Sequence, residues 1–363
     1  MTNSPDFTGW LEYAPFGLAE QEKSALLLDA MLKLTSWHAS QCESYCRILN
    51  TLNFKTSHIQ HLEDIPFLPV RLFKEFELQS VPSEEVFKTL TSSGTSGQAV
   101  SRIYLDRKTA KLQTKVLSRL MIDILGQKRI PMLIVDSPSV LKDRMSFSAR
   151  GAGILGFSMF GQDVTYALDE NMQLDQTSVQ AFIDRHKGSP VFVFGFTFMI
   201  WQYLVRPLLL KQDHLALNQA IVLHGGGWKK LQDQAVDNLL FRSTLQKVLG
   251  AQRVVNYYGM VEQSGSLFIE CDRGHLHAPV YSEIIVRRLH DFSPAAFGEQ
   301  GVIEVISMLP LSYPGHALLT EDTGVILGRD DCPCGRLGAY FHIHGRLAQA
   351  EMRGCSDTHE TLR

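Results

Sequence analysis

Ser92-Ser93-Gly94-Thr95-Ser96-Gly97-Gln98 sets small hydroxyl residues against glycine, a composition whose backbone N–H groups can wrap a polyphosphate. Glycine lets the backbone approach the phosphates and take positive φ, and the Ser and Thr hydroxyls add donors that an anion can use. The stretch follows the short apolar segment Val86-Phe87 and precedes the strand-like Ser101-Arg102-Ile103-Tyr104-Leu105. It lacks a Gly-Lys-[Ser/Thr] ending, so it is not a P-loop. Taken alone, such a stretch is a flexible linker, and a nucleotide reading needs support elsewhere in the chain.

That support lies downstream. Asn256-Tyr257-Tyr258-Gly259-Met260-Val261-Glu262 holds an amide, aromatic faces, a glycine turn and a carboxylate in one short segment. Asn256 suits an adenine edge, Tyr258 an adenine face and Glu262 a Mg²⁺ ion, with Gly259 making the turn. Further on, Asp322 in Thr320-Glu321-Asp322-Thr323-Gly324 offers a carboxylate to ribose hydroxyls, and Arg346 in His344-Gly345-Arg346 offers a cation. This order of motifs resembles the adenylate-forming superfamily of acyl-CoA synthetases and peptide-synthetase adenylation domains, whose members use ATP and Mg²⁺.

The resemblance narrows at three further segments. Ile65-Pro66-Phe67-Leu68-Pro69-Val70-Arg71-Leu72-Phe73-Lys74, His224-Gly225-Gly226-Gly227-Trp228-Lys229-Lys230 and Arg353-Gly354-Cys355 look like the LuxE-type acyl-protein synthetases of bacterial luminescence, over nearly the whole chain. The resemblance implies an α/β fold like the N-terminal domain of adenylate-forming enzymes. It also implies ATP-dependent activation of a fatty acid, transfer to a cysteine, and delivery to an acyl reductase partner of the LuxC type.

The wider superfamily closes its site with a C-terminal domain carrying a catalytic lysine. Here only residues 347–363 follow Arg346, and no lysine follows Lys247. That role is absent or falls to an upstream residue such as Lys229. Ser101 also stands near where the superfamily commonly has lysine, so charge stabilisation for pyrophosphate departure is expected from Mg²⁺ on Glu262, the loop donors and Arg346. Cys355 lies nine positions beyond Arg346, and an extended segment of that length reaches roughly 30 Å. By the resemblance, Cys355 is the acyl carrier, with Arg353 favouring its thiolate and Gly354 its swing. The residues alone read as a surface thiol near a terminus.

With 363 residues, 45% hydrophobic content and a net charge of −3, the chain suits more than one subdomain and gives no electrostatic case for nucleic acid. The start, Met1 to Asp6, lacks the basic and apolar regions of a signal peptide. The apolar run from Val191 to Trp201 is too short to span a bilayer. Six cysteines in a chain this long fit a reducing compartment. A cytoplasmic protein without integral membrane association is expected.

Periodicity predicts helices over Leu18–Leu34 and His38–Leu52, so residues 1–85 read as a helical region. A helix from Asp106 to Leu125, a strand at Pro131–Val135, a strand at Ala220–Leu223, a helix from Trp228 to Leu249 stopped at Gly250, and a strand at Arg253–Val255 give an α/β core over 86–270. Residues 271–346 read as a strand-rich subdomain and 347–363 as a tail carrying Cys355. Gly151-Ala152-Gly153-Ile154-Leu155-Gly156 spells a dinucleotide fingerprint but follows no strand, so it reads as close helix packing. Cys42 and Cys46 receive no role.

Phe192, Phe194, Phe196 and Phe198 alternate around Gly195 on one face of an extended segment. A buried strand explains them, and so does an apolar acyl pocket where Gly195 leaves room. Gly225 and Gly226 allow adenine to slide along the backbone or simply turn a strand into a helix, whose start can face an anion. His224 orients a substrate carboxylate or bonds to backbone. Cys332-Pro333-Cys334, with Cys271 and His275 or His277, can make a structural Cys₃His zinc site or pack as plain side chains. Two rival activities remain: a CoA ligase of the phenylacetate-CoA ligase type, with coenzyme A as acceptor, and a non-catalytic subunit of a fatty acid reductase complex.

Overall fold

The computed structural model describes residues 4–92, 100–141, 149–217 and 219–347, and only the backbone of Ala149, Lys229, Lys230 and Gln232. Two compact units emerge, one formed by Met1–Leu120 with Gly259–Arg363 and the other by Met121–Tyr258. This grouping differs from the four consecutive segments expected, because the N-terminal helices pack in one unit with the C-terminal strands.

In the first unit, α1 (Glu20–Gln41) buries Leu27, Ala30, Met31 and Leu34 at helical spacing. The expected end at Leu34 is overrun, because the polar residues next on that face find buried partners. Thr35 Oγ1 meets His316 Nε2 at 3.0 Å, and His38 meets Ser80 Oγ at 2.8 Å and Pro310 O at 3.1 Å. The chain bends at extended Cys42 before α2 (Glu43–Thr51). Next come β1 (Leu68–Pro69), α3 (Leu72–Glu75), and the antiparallel hairpin β2 (Val86–Thr91) and β3 (Arg102–Asp106). Asp106 Oδ1 accepts from Thr109 N–H at 2.7 Å and caps α4 (Arg107–Leu125).

The second unit is a parallel sheet with helical crossovers. Its elements are β4 (Ile130–Ile134), α5 (Ala149–Ser158), β5 (Gly161–Tyr166), α6 (Gln176–Arg185), β6 (Val191–Phe196), α7 (Thr197–Met199), α8 (Arg206–Leu210), β7 (Ala220–Gly225), α9 (Asn238–Leu249) and β8 (Arg253–Tyr258). The strands run β8-β7-β6-β4-β5, all parallel. Leu133, Val193 and Val222 pack with Phe182, Ile200 and Phe241 in the core. Such strands are apolar throughout because helices cover both faces of a parallel sheet.

Three expectations need correction here. Phe198 leaves the strand and enters α7, so only Phe192, Phe194 and Phe196 alternate on β6. Gly195 opens no space for a ligand, since a Cβ there would meet Ile200 Cγ1 at 2.8 Å and Val135 Cβ at 3.0 Å. The helix expected from Trp228 is split into a 3-10 segment, Lys229–Gln234, and α9, because Asp237 Oδ1 accepts from Leu240 N–H and starts a fresh helix. The glycine-rich stretch at 151–156 lies inside α5, where a Cβ on Gly153 would touch the Phe196 ring at 3.2 Å. Close packing explains it.

The chain then completes the first unit with β9 (Phe268–Glu270), β10 (Leu276–His277), β11 (Ser282–Arg287), β12 (Gly301–Ser307), β13 (Ala317–Arg329) and β14 (Ala339–Arg346). They form an antiparallel sheet in the order β11-β12-β13-β14-β10-β9, with β1 added parallel to β13. Among the described residues, no helix is long and apolar enough to cross a membrane.

Candidate active site

In the first unit, residues far apart in sequence gather around one carboxylate. Glu262 sits in the 3-10 turn Val261–Gln263, which is anchored because Gln263 Nε2 donates to Val305 O at 3.0 Å and Gly315 O at 2.8 Å. Glu262 is buried, and burial pushes its carboxyl above the usual range. Ser101, Lys74 and Arg346 act in the opposite direction by favouring its charge. The Ser101 hydroxyl is itself buried and is not aligned in a hydrogen bond. Tyr313 lies buried beside this group, its phenol pushed up by burial and by the Glu262 charge.

Ser101 belongs to the base of the glycine and hydroxyl loop. Ser92 N–H donates to Ser101 O at 3.2 Å, and Ser101 N–H donates to Ser92 Oγ at 3.0 Å. The two bonds clamp the hairpin ends on either side of the loop. Ser93, Gly94, Thr95, Ser96 and Gly97 lie outside the described residues. Asp322 and Arg346 are cross-strand partners on β13 and β14, with Arg346 Nε 3.6 Å from Asp322 Oδ1. Glu262, Asp322, Arg346 and the loop base thus share one unit.

In the second unit, the chosen residues sit at the carboxyl ends of neighbouring parallel strands. Gly195 is level with His224 and Phe196 with Gly225, and across the next pair His224 is level with Asn256 and Gly225 with Tyr257. Tyr258 follows at the end of β8, and Gly259 begins the other unit. Carboxyl ends of parallel strands are where open α/β sheets bind ligands. Phe194 is fully buried, packed on Phe157 at 4.5 Å between ring centroids, so of the expected acyl-pocket residues it is part of the core.

His224 is held rather than free. Thr197 Oγ1 donates to Gly225 O at 3.1 Å, which makes it the acceptor for His224 Nδ1–H at 3.0 Å. The Nε2 atom is then a bare acceptor, buried without a partner. Burial, with Arg242 adding repulsion, drives the ring down to about 3, so it is neutral at pH 7 and offers a carboxylate neither charge nor a free donor. Gly225 and Gly226 make a tight turn: a Cβ on Gly225 would lie 2.6 Å from Tyr257 O, and Gly226 has φ of 80°. The 3-10 segment that follows is kinked at Leu231 and supplies no α-helix start to face an anion. The Lys229 side chain and Cys355 lie outside the described part.

Ligand atoms of Cys271, His277, Cys332 and Cys334 all lie within 4.8 Å of one another. His275 is not in that group, although its Nδ1 is 3.3 Å from Cys332 Sγ. Sequence reasoning gave no role to Lys74, although it closes one of the quoted segments, nor to Tyr313, which carries no local signal.

The likeness to known proteins follows the same lines. The chain is 21% identical over 318 residues to the long-chain-fatty-acid–luciferin-component ligase of Aliivibrio fischeri, covering 83% of this chain and 79% of that one. To the ligase of the same name in Vibrio harveyi it is 23% identical over 317 residues, covering 82% and 78%. An open conformation of 2-hydroxyisobutyryl-CoA ligase in complex with 2-HIB-AMP and CoA superposes with a TM-score of 0.70 at 16% identity, over 92% of this chain and 76% of that chain. The fold is that of adenylate-forming ligases. With the family model for acyl-protein synthetase, LuxE, matching residues 6–362, the chain belongs to the LuxE family of acyl-protein synthetases and is an AMP-forming ligase that activates an acid with ATP.

Proposed function

We propose that this enzyme converts a fatty acid to acyl-AMP and passes the acyl group to its own Cys355, from which an acyl reductase takes it. The observation that carries the reading is the buried Glu262 carboxylate beside Ser101, Lys74 and Arg346 at the base of the glycine and hydroxyl loop. The names of the two luciferin-component ligases favour a long-chain acid, and the free cysteines among the described residues fit a reducing cytoplasm.

A substrate carboxylate oxygen bonds to the α-phosphorus of ATP as the bond to pyrophosphate breaks. The Cys355 thiolate then attacks the acyl carbonyl, forming a thioester and expelling AMP. Arg346 and Lys74 supply positive charge, Asp322 orients Arg346 and suits a ribose hydroxyl, and the loop N–H groups donate to phosphate oxygens. Asn256 and Tyr258 are assigned to adenine. Glu262 fits a divalent cation, because burial disfavours a charge that such an ion would compensate. Bound Mg²⁺ would neutralise phosphate charge as pyrophosphate departs.

A CoA acceptor is the second reading, favoured by the fold shared with a CoA ligase. Incubation with ATP, Mg²⁺ and a panel of carboxylic acids, with and without coenzyme A, followed by mass analysis of the intact protein and of the soluble products, separates the two. A hydroxylamine-labile mass gain mapped to the Cys355 peptide, absent in Cys355→Ser, is the expected result. Soluble acyl-CoA formed equally by Cys355→Ser sinks self-acylation, and absence of pyrophosphate exchange with every acid sinks the ligase reading.

A further inference from the structure

We propose that Cys271, His277, Cys332 and Cys334 bind one structural zinc ion that ties the β9–β10 hairpin to the turn between β13 and β14. This lies apart from the acid-activating chemistry and does not depend on the identity of the substrate.

The donors come from two tight turns. Cys271 directly follows β9 and opens a turn in which Gly274 N–H donates to Cys271 O at 2.9 Å, after which the chain returns as β10 with His277. Cys332 and Cys334 sit in a matching turn, with Gly335 N–H donating to Cys332 O at 3.0 Å. Both Gly274 and Gly335 have positive φ, which folds the backbone around the sulfurs. Arg336 N–H points at Cys334 Sγ at 3.4 Å, a bond that favours sulfur as thiolate.

The geometry is that of a four-coordinate shell. Zn–S bonds of about 2.3 Å and Zn–N bonds of about 2.0–2.1 Å place tetrahedral ligand atoms roughly 3.5–3.8 Å apart. Cys334 Sγ and His277 Nε2 are 3.4 Å apart, and every pair in the group lies within 4.8 Å. All three cysteines are free thiols, so no disulfide competes for them. Cys271, His277 and Cys332 are buried and Cys334 half-buried, which gives the closed surroundings of a structural site.

His277 gives the second, independent pointer. It is fully buried, flanked by Phe16 edge-on and by Tyr340 in a stack, and its Nδ1 has no partner. The polar neighbour of its ring is the cysteine cluster, reached through Nε2. His275 instead points Nδ1 at a single sulfur and stacks on Tyr340. Three thiolates and one imidazole form a soft donor set that suits zinc in tetrahedral geometry. Four protein ligands leave no position for water, so the ion holds strands together and performs no catalysis. Loading releases the thiol protons, three for three cysteines.

Elemental analysis of the full-length protein, produced without a histidine tag and passed through a desalting column with EDTA, reads the stoichiometry. One zinc per chain, released to a chromogenic chelator only after the thiols are blocked with a mercurial, is expected. Cys332→Ala and His277→Ala should lower retained zinc at least tenfold, whereas His275→Ala should keep it. Should the cysteine variants fail to fold, wild-type protein grown with cobalt should show thiolate-to-cobalt charge-transfer absorption. Protein free of metal with all three thiols reactive, zinc stripped by EDTA alone, iron or copper in place of zinc, or metal lost in His275→Ala but retained in His277→Ala would each overturn the assignment.

Discussion

Lys23 and Glu283 form an ion pair of 2.9 Å between α1 and β11, with both side chains 1% exposed. At an effective dielectric of about 20, two unit charges at that separation attract by about 6 kcal/mol. Removing both ions from water costs several kcal/mol each, so the pair contributes little net stability while either charge alone is severely unfavourable. Lys23→Met leaves Glu283 buried with one remaining donor, Ile284 N–H at 2.9 Å. A loss of about 3–5 kcal/mol is expected. Glu283→Gln costs less, about 1–3 kcal/mol, because a glutamine amide oxygen can still accept from Lys23, which also keeps its bond to Ala278 O at 3.1 Å. The double variant should be more stable than Lys23→Met alone, by about 2 kcal/mol. Urea unfolding followed by fluorescence, with Trp201 and Trp228 replaced by Phe, isolates the first unit, where Trp37 Nε1 donates to Leu311 O at 2.8 Å. Additive effects of the two substitutions, or further loss when Glu283→Gln is added to Lys23→Met, would refute the reasoning.

Arg346→Ala tests a functional charge against a structural one: its side chain is 45% exposed and pairs with Asp322 at 3.6 Å, so stability should change by less than about 1 kcal/mol. Pyrophosphate exchange should nevertheless fall roughly 10–100-fold (an order-of-magnitude expectation for one electrostatic group), and unchanged exchange would remove Arg346 from the phosphate site. Gly226→Ala places a methyl 2.6 Å from the Phe196 ring at φ of 80°, and urea unfolding should show a loss of about 1–3 kcal/mol. Acid sensitivity follows from buried histidines. Burial drives His224 and His316 down to about 3, and His38 well below 6.5 with the stacked His316 adding to the effect. Because the folded state then binds fewer protons than the unfolded state, stability is full above about pH 6.5 and falls toward pH 3. Each histidine contributes a slope of about 1.4 kcal/mol per pH unit. Glu304, pushed up to about 7 by burial, works in the opposite sense between pH 7 and 4.5, as does the raised Glu262 carboxyl, and the two offset part of the histidine effect. A urea midpoint that does not decrease between pH 6.5 and 5 would contradict this balance.

Local chemistry made much of the architecture legible. The strand after the glycine and hydroxyl loop, α4 and the strands β4, β7 and β8 follow from apolar runs bounded by turn residues. What escaped depends on distant partners. α1 continues past Leu34 only because Thr35 and His38 meet His316 and Pro310. The run from Trp228 breaks because Asp237 caps a new helix, a signal overridden in the reading by continuous helical composition. Gly195 could not be told from a pocket until Ile200 and Val135 were seen to fill the space. His275 and His277 are two apart, a spacing that puts both on one face of an extended segment, so sequence could not choose between them, whereas the grouping of His277 with the three sulfurs does.

The first unit is stitched from the two ends of the chain, and this imposes an order on biosynthesis. Lys23 and the Ala278 carbonyl it binds are 255 residues apart, which at ribosomal speed separates their emergence by roughly 13–50 s. During that interval α1 presents an unsatisfied apolar flank, while the inserted residues 121–258 can already close on themselves. Vectorial translation therefore leaves the amino-terminal helix without its carboxyl-terminal partners for that interval, and a stall before β11 strands that flank as a target for chaperones.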